Sequence, residues 1–158
     1  SRGLGDVYKR QGVVRKFILP RIIQIFAGRN GAITKETRTT KMGYEYRPDA
    51  VLYNLKRLTK KFPDKEIFIT ENGIATDNDD ERIEFVTTVI KDVHKFESEN
   101  SNVIGYLYWS LLDNFEWDLG YQMNFGLVEV DRETYKRIPH KSAEWFGKIS
   151  SSNILSIT

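Results

Sequence analysis

Two kinds of apolar periodicity alternate along the chain. Val51, Leu52, Leu55, Leu58 and Phe62 recur at helical spacing, beginning just after Pro48 and Asp49 and stopping before Pro63, which predicts an amphipathic helix. Residues 66–70, EIFIT, follow as a strand. Ile83, Val86, Val89, Ile90, Val93 and Phe96 form the stripe of a second helix, with its N-terminus in the polar run 76–81 and its end at residues 100–102. Residues 103–112, VIGYLYWSLL, are apolar on both parities, as expected of a strand buried on both faces by flanking helices. Residues 127–130 read as a short extra strand or hairpin arm, 142–149 as a short closing helix and 150–158 as a tail. Helix, strand, helix, strand, helix is the grammar of a parallel α/β sheet or barrel.

Composition narrows the partners. With 158 residues, 40% hydrophobic and 13% aromatic, the chain can bury one globular core. No apolar run approaches the roughly 20 residues needed to cross a bilayer. Residues 1–11, SRGLGDVYKRQ, resemble the translation of a sequencing-library adapter and are set apart from residues 12–149, the expected domain. On that reading any N-terminal half with its targeting signal lies outside the chain. Removing the adapter-like segment's three basic residues and one acidic residue from 24 and 22 leaves 21 against 21, so the charge excess gives no pointer to nucleic acid or an anionic membrane. Cysteine is absent, and His94 and His140 stand apart without metal-ligand spacing. Both read as solvated, and no metal site is expected.

Carboxylates gather after the two strands. Within FITENG, residues 68–73, Glu71 follows the apolar strand, and residues 113–126, DNFEWDLGYQMNFG, hold Asp113, Glu116 and Asp118 among Phe115, Trp117, Tyr121 and Phe125, with Trp109 just ahead. In α/β barrels the active site is built from the C-terminal strand ends and the loops that follow them. Aromatic faces suit the apolar faces of sugar rings, and carboxylates accept hydrogen bonds from their hydroxyls. Each feature also has a plainer reading: aromatic clusters serve as core, and a strand-end glutamate serves as a loop ion pair.

Taken in order, ITENG (69–73), GYLYWSLLDNFEWDLGY (105–121), FGLVEVD (125–131) and then Arg137, Lys141, Ser142 and Trp145 resemble the C-terminal part of family 1 glycoside hydrolases, of the β-glucosidase and β-galactosidase type. MGYEYRPDA (42–50) is similar to the segment leading into that family's sixth barrel helix, and residues 12–40 are read as the loop region after the sixth strand. The resemblance implies an incomplete α/β fold, strands 7 and 8 of a (β/α)8 TIM barrel with their flanking helices, and a missing N-terminal part of the barrel as the principal partner. It implies a retaining β-glycosidase in which Glu71 is the nucleophile, Trp109 the floor beneath the reacting sugar, Glu116 and Trp117 the holders of hydroxyls on its far side, and Phe125 an aromatic wall. Cytoplasmic localisation, a small-molecule β-glycoside or oligosaccharide as ligand, and no metal or organic cofactor are implied with it.

In retaining chemistry two carboxyl groups face each other about 5 to 5.5 Å apart, one attacking the anomeric carbon and one serving as acid and then base. The family's acid/base lies in a Thr-x-Asn-Glu-Pro segment, and no such segment occurs here. The chain alone is therefore expected to be inactive. Related 6-phospho-glycosidases replace the Glu-Trp pair, so the intact Phe115-Glu116-Trp117 argues for an unphosphorylated sugar. Asn124 stands where the family often has a basic residue, and Thr87-Thr88 where His-Leu is usual; neither position is expected to do chemistry. Two other readings are compatible with these residues. A non-catalytic sugar- or protein-binding relative would keep the aromatic residues but has no need of a strand-end nucleophile, and a thioglucosidase-like variant would differ only at the missing acid.

Overall fold

In a computed structural model, residues 38–100 and 102–155 are described; the adapter-like segment 1–11, the stretch from there up to residue 37 and the last three residues lie outside them. The chain divides after Arg47 into two units. In the first, residues 38–47 form a small turn by themselves: Thr39 and Glu45 pair antiparallel, Gly43 takes a positive φ of 74°, and the Arg38 guanidinium stacks 3.6 Å above the Tyr46 ring.

The second unit carries the alternating elements. Helix α1 is Ala50–Lys61, strand β1 is Ile67–Asn72, helix α2 is Asp79–Asn100 and strand β2 is Val103–Tyr108. A 3-10 turn at Trp117–Leu119, strands β3 (Val128–Val130) and β4 (Arg137–Pro139), and helix α3 (Lys141–Ser152) complete it. β1 and β2 pair in parallel, and β3 and β4 form an antiparallel hairpin, so the expected arm at 127–130 has a partner that its neighbours' periodicity did not reveal. The closing helix runs to Ser152 and takes in the start of the expected tail.

Helix α2 is the spine of the unit. It packs against α1 on one side, α3 on the other and β2 beneath. Val51 and Leu55 of α1, Ile67 and Ile69 of β1, and Phe85, Val86, Val89, Val93 and Phe96 of α2 form the core. The buried face of α2 is turned slightly from the expected stripe. Phe85 and Arg82 lie inside, while Ile83 and Ile90 sit half-buried at its flanks.

The sheet is not buried on both faces, contrary to the expectation for residues 103–112. One face meets the helices, where the Tyr106 and Tyr108 rings approach Phe146 of α3 at 6.3 and 5.9 Å. On the other, Phe68, Leu107 and Trp109 are exposed, Leu107 at 50%; Ile104, at the register shift between Val103 and Gly105, is exposed at 58%. Gly105 allows the Phe68 ring to lie across it, since a Cβ there would fall 2.1 Å from a ring carbon. Apolar residues on both parities thus record two different covers, of which only the helical one is present among the described residues.

Arg82 has 1% of its surface exposed, and an uncompensated cation there would cost several kcal/mol. It is compensated on three sides. Its Nη1 forms a short ion pair with Asp79, and its Nη2 donates to the carbonyls of Thr76 at 3.1 Å and Asn124 at 3.0 Å. Asp79 in turn accepts the N–H and hydroxyl of Ser142, at 2.8 and 2.6 Å, at the start of α3. At the N-terminus of α2 itself, the Asn78 side chain accepts the Asp80 N–H at 3.1 Å, an N-cap interaction.

Burial works to raise the Asp79 carboxyl, but the bonds from Ser142, then those from Arg82, outweigh it and hold the group below its ordinary value. A carboxyl depressed in the folded state stabilises fully above its unfolded value and loses that contribution as pH falls through the folded one. Urea unfolding followed by circular dichroism is therefore expected to show stability falling as pH drops below about 4. Asp79→Asn should be less stable than the parent chain at pH 7 and should lose less on acidification; an equally steep loss in that variant would contradict the assignment.

Candidate active site

β1 and β2 end side by side because their last residues are fastened together. The Asn72 carbonyl accepts the Trp109 N–H at 2.8 Å. Gly73 lies so close behind that a Cβ would fall 1.7 Å from the Trp109 carbonyl oxygen, an approach open only to a residue without a side chain. Glu71, half-buried near the end of β1, and Trp109, the first residue beyond β2, consequently share one edge of the sheet.

Phe125 joins them through its backbone. Its carbonyl accepts the Tyr108 hydroxyl at 2.8 Å and the Ser110 N–H at 3.4 Å, which folds the long β2–β3 connection back onto the strand end. Burial pushes the Tyr108 hydroxyl up to about 12, the nearby Arg82 opposing that rise, so it stays a proton donor at neutral pH. Gly126 follows with no room for a side chain, a Cβ there lying 2.5 Å from the Asp113 nitrogen. Its N–H donates to the Asp113 carboxylate at 2.8 Å. Asp113 is thereby engaged in closing this loop.

Glu116 is tethered to the same strand end by short polar side chains. Ser110 Oγ lies 2.7 Å from the Leu112 carbonyl and 3.2 Å from Asn114 Oδ1, and Asn114 Nδ2 donates to Glu116 Oε2 at 3.2 Å. The Glu116 N–H donates to the Gly120 carbonyl at 2.7 Å, closing the loop around the 3-10 turn. Trp117 sits in that turn with φ of 48° and 78% of its surface exposed. Phe115 meets Tyr121 edge-on at 5.1 Å. On Tyr121 the Arg132 guanidinium stacks at 4.1 Å, while donating to the Asp113 carbonyl at 2.8 Å. Phe115, Trp117 and Tyr121 are exposed, so the aromatic run of this loop is not core within the described residues.

Glu71, Trp109 and Phe125 are thus gathered at the strand ends, Glu116 is held to them through Asn114, and Trp117 extends into solvent. His94 is exposed on α2, and His140 is half-buried at the N-cap of α3. Among the described residues no group of three or more acidic or histidine side chains is arranged to hold a metal ion. Sequence reading missed the supports: Asn72, whose side chain accepts the Tyr106 hydroxyl at 2.8 Å, and Arg82, which ties the loop after β1 to the loop after β2. The signal for Arg82 was a cation one step from an otherwise apolar stripe.

The chain is similar to known proteins over most of its length. The family model described as glycosyl hydrolase family 1 matches residues 21–154. β-Glucosidase A of Thermotoga maritima is 35% identical over 130 residues, covering 77% of this chain and 29% of that protein. A 6-phospho-β-galactosidase of Leptotrichia buccalis is 39% identical over 114 residues, covering 66% of this chain and 24% of that protein. Among solved structures, the β-glycosidase of Pyrococcus horikoshii superposes with a TM-score of 0.73 at 40% identity, covering 80% of this chain and 29% of that one. The chain therefore spans less than a third of the length of these relatives, and with most of its residues matched to the family's pattern it belongs to glycosyl hydrolase family 1.

Proposed function

We propose that this chain is the C-terminal part of a retaining β-glycosidase and supplies the nucleophile and much of the glycone site of a (β/α)8 barrel. The observation that carries the reading is the joining of β1 and β2 at their C-terminal ends, which sets Glu71 and Trp109 on one edge of a parallel sheet. That is the edge on which barrel enzymes build their chemistry. Glu71 attacks the anomeric carbon while the bond from that carbon to the leaving oxygen breaks, and an acid supplied by the rest of the barrel protonates that oxygen. The same group then takes a proton from water, whose oxygen displaces Glu71 and regenerates the carboxylate. Trp109 offers an apolar surface to the sugar ring, and Phe125 flanks it.

Glu116 and Trp117 are the reading's specificity groups. A carboxylate accepts hydrogen bonds from sugar hydroxyls but repels a phosphate carried at the same place, which favours an unphosphorylated glycoside even though one relative is a 6-phospho-β-galactosidase. Glu116 can accept hydroxyl donors from gluco or galacto sugars, and the loops that bind the aglycone belong mostly to the rest of the barrel. The exposed Phe68, Leu107 and Trp109 fit the reading as the inner surface that the other strands cover. Without them the second carboxyl group is missing, and the 158-residue chain is expected to leave an aryl β-glucoside at its buffer rate of hydrolysis.

In the full-length enzyme carrying this segment, Glu71→Gly is expected to abolish turnover of an aryl β-glucoside, and azide or formate to restore it as an external nucleophile. Turnover at the parent rate without either anion would refute the assignment. Glu116→Ala should flatten the preference among glucoside, galactoside and fucoside, read as ratios of kcat/KM, because the group that distinguishes hydroxyl positions is gone. An unchanged ranking with unchanged ratios would remove Glu116 from the site.

A further inference from the structure

Strict alternation along β1 would hide its carboxylate. Ile67 and Ile69 are buried against the helices, and a strand that kept its period of two would send Glu71 to the same face. The ladder breaks that period. Ile69 pairs with Tyr106 and Asn72 with Tyr108, so β1 advances three residues where β2 advances two, the mark of a bulge with an extra residue on β1. Asn72 is buried and returns to the helical face, where its Oδ1 accepts the Tyr106 hydroxyl at 2.8 Å. Thr70 and Glu71, exposed and half-buried, are the two residues left between these buried anchors.

The anchor is well fixed. Tyr106 is packed toward Phe146 of α3, and burial, with the neighbouring Tyr108 adding to it, pushes its hydroxyl far above the ordinary phenol range. It therefore remains a donor at any working pH. The Asn72 carbonyl holds the Trp109 N–H at the same time, so the residue is tied to β2 through both its side chain and its backbone. A one-residue slip of this pairing would exchange the faces of every following side chain, and it would leave the buried Asn72 amide without its donor.

We propose that Tyr106 and Asn72 are a positioning pair for Glu71: the hydroxyl-to-amide bond holds the bulge that turns the glutamate away from the helix-packed layer and toward the C-terminal edge of the sheet that it shares with Trp109. The proposal rests on the reading of Glu71 as nucleophile and adds what aims it. Neither partner touches the sugar. Their effect lies in the attack step rather than in binding.

The test uses the full-length enzyme and a 2-deoxy-2-fluoro-β-glucoside bearing a good leaving group, which stalls after Glu71 attacks and so reports that step as a rate of covalent inactivation. Tyr106→Phe deletes one oxygen and keeps the ring. Its maximal inactivation rate is expected to fall about 10- to 100-fold, the scale on which small misplacements of reacting groups act, while the inhibitor concentration giving half that rate stays within about threefold. Asn72→Ala should show the same pattern by removing the acceptor, and it serves if Tyr106→Phe does not fold. The double variant should be no slower than the slower single one, because both changes cut one bond. Unchanged inactivation in either single variant, or losses that multiply in the double variant, would overturn the proposal. Glu71→Gly is the control: if it turns substrate over at the parent rate without an added anion, the nucleophile reading falls and the proposal with it.

Discussion

A single buried cation holds the site-bearing loops in register. Arg82 reaches the Thr76 carbonyl in the segment after β1, the Asn124 carbonyl in the segment after β2, and the Asp79 carboxylate at the start of its own helix. Asp79 then passes the connection to the first turn of α3 through Ser142. A guanidinium buried to this degree is tolerated only when its charge is compensated; although its Nε has no partner among the described residues, Asp79 and the two carbonyls supply that compensation, so these segments cannot drift apart without exposing or orphaning it. The cost of losing one partner of such a network, about 3 to 5 kcal/mol, is a large fraction of the stability of a small domain.

Above that clamp, the ends of β1 and β2 meet by a different means. The Asn72 carbonyl and the missing Cβ of Gly73 bring the backbone of one strand against Trp109 of the other. Phe125 and Asn114 bind the following loop to the same place. The outcome is asymmetric: the helical side is packed and hydrogen-bonded, and the opposite side presents Phe68, Leu107 and Trp109 without cover among the described residues. In a barrel these positions would face the interior and be filled by inward side chains from the other strands.

Much of this was legible in the sequence. The 3.6-residue stripes of α1 and α2 were clear because each helix buries one face, and ITENG with WSLLDNFEW marked the strand ends. The boundaries that moved have local causes. β1 extends to Asn72 because a bulge carries pairing past Thr70, and bulges leave no periodic trace. VIGYLYWSLL looked like a strand buried by helices on both sides, yet Tyr106 and Tyr108 face the helices while Leu107 and Trp109 do not. Hydrophobicity reports that a face is covered and not by what. Arg82 went unnoticed beside the apolar stripe, since no single-sequence pattern reveals that the Thr76 and Asn124 carbonyls converge on it. β4, a three-residue strand RIP with every residue exposed, offers no alternation to read.

The central claim is that the carboxylate at the end of β1 is the group that bonds to the sugar. Its most direct test is to inactivate the full-length enzyme with a 2-deoxy-2-fluoro-β-glucoside, digest it with trypsin and sequence the labelled peptide by mass spectrometry. The account predicts one fluoroglucosyl group, on Glu71 within the peptide EIFITENGIATDNDDER, residues 66–82. A label on any other residue, or complete inactivation with this peptide unmodified, would contradict it.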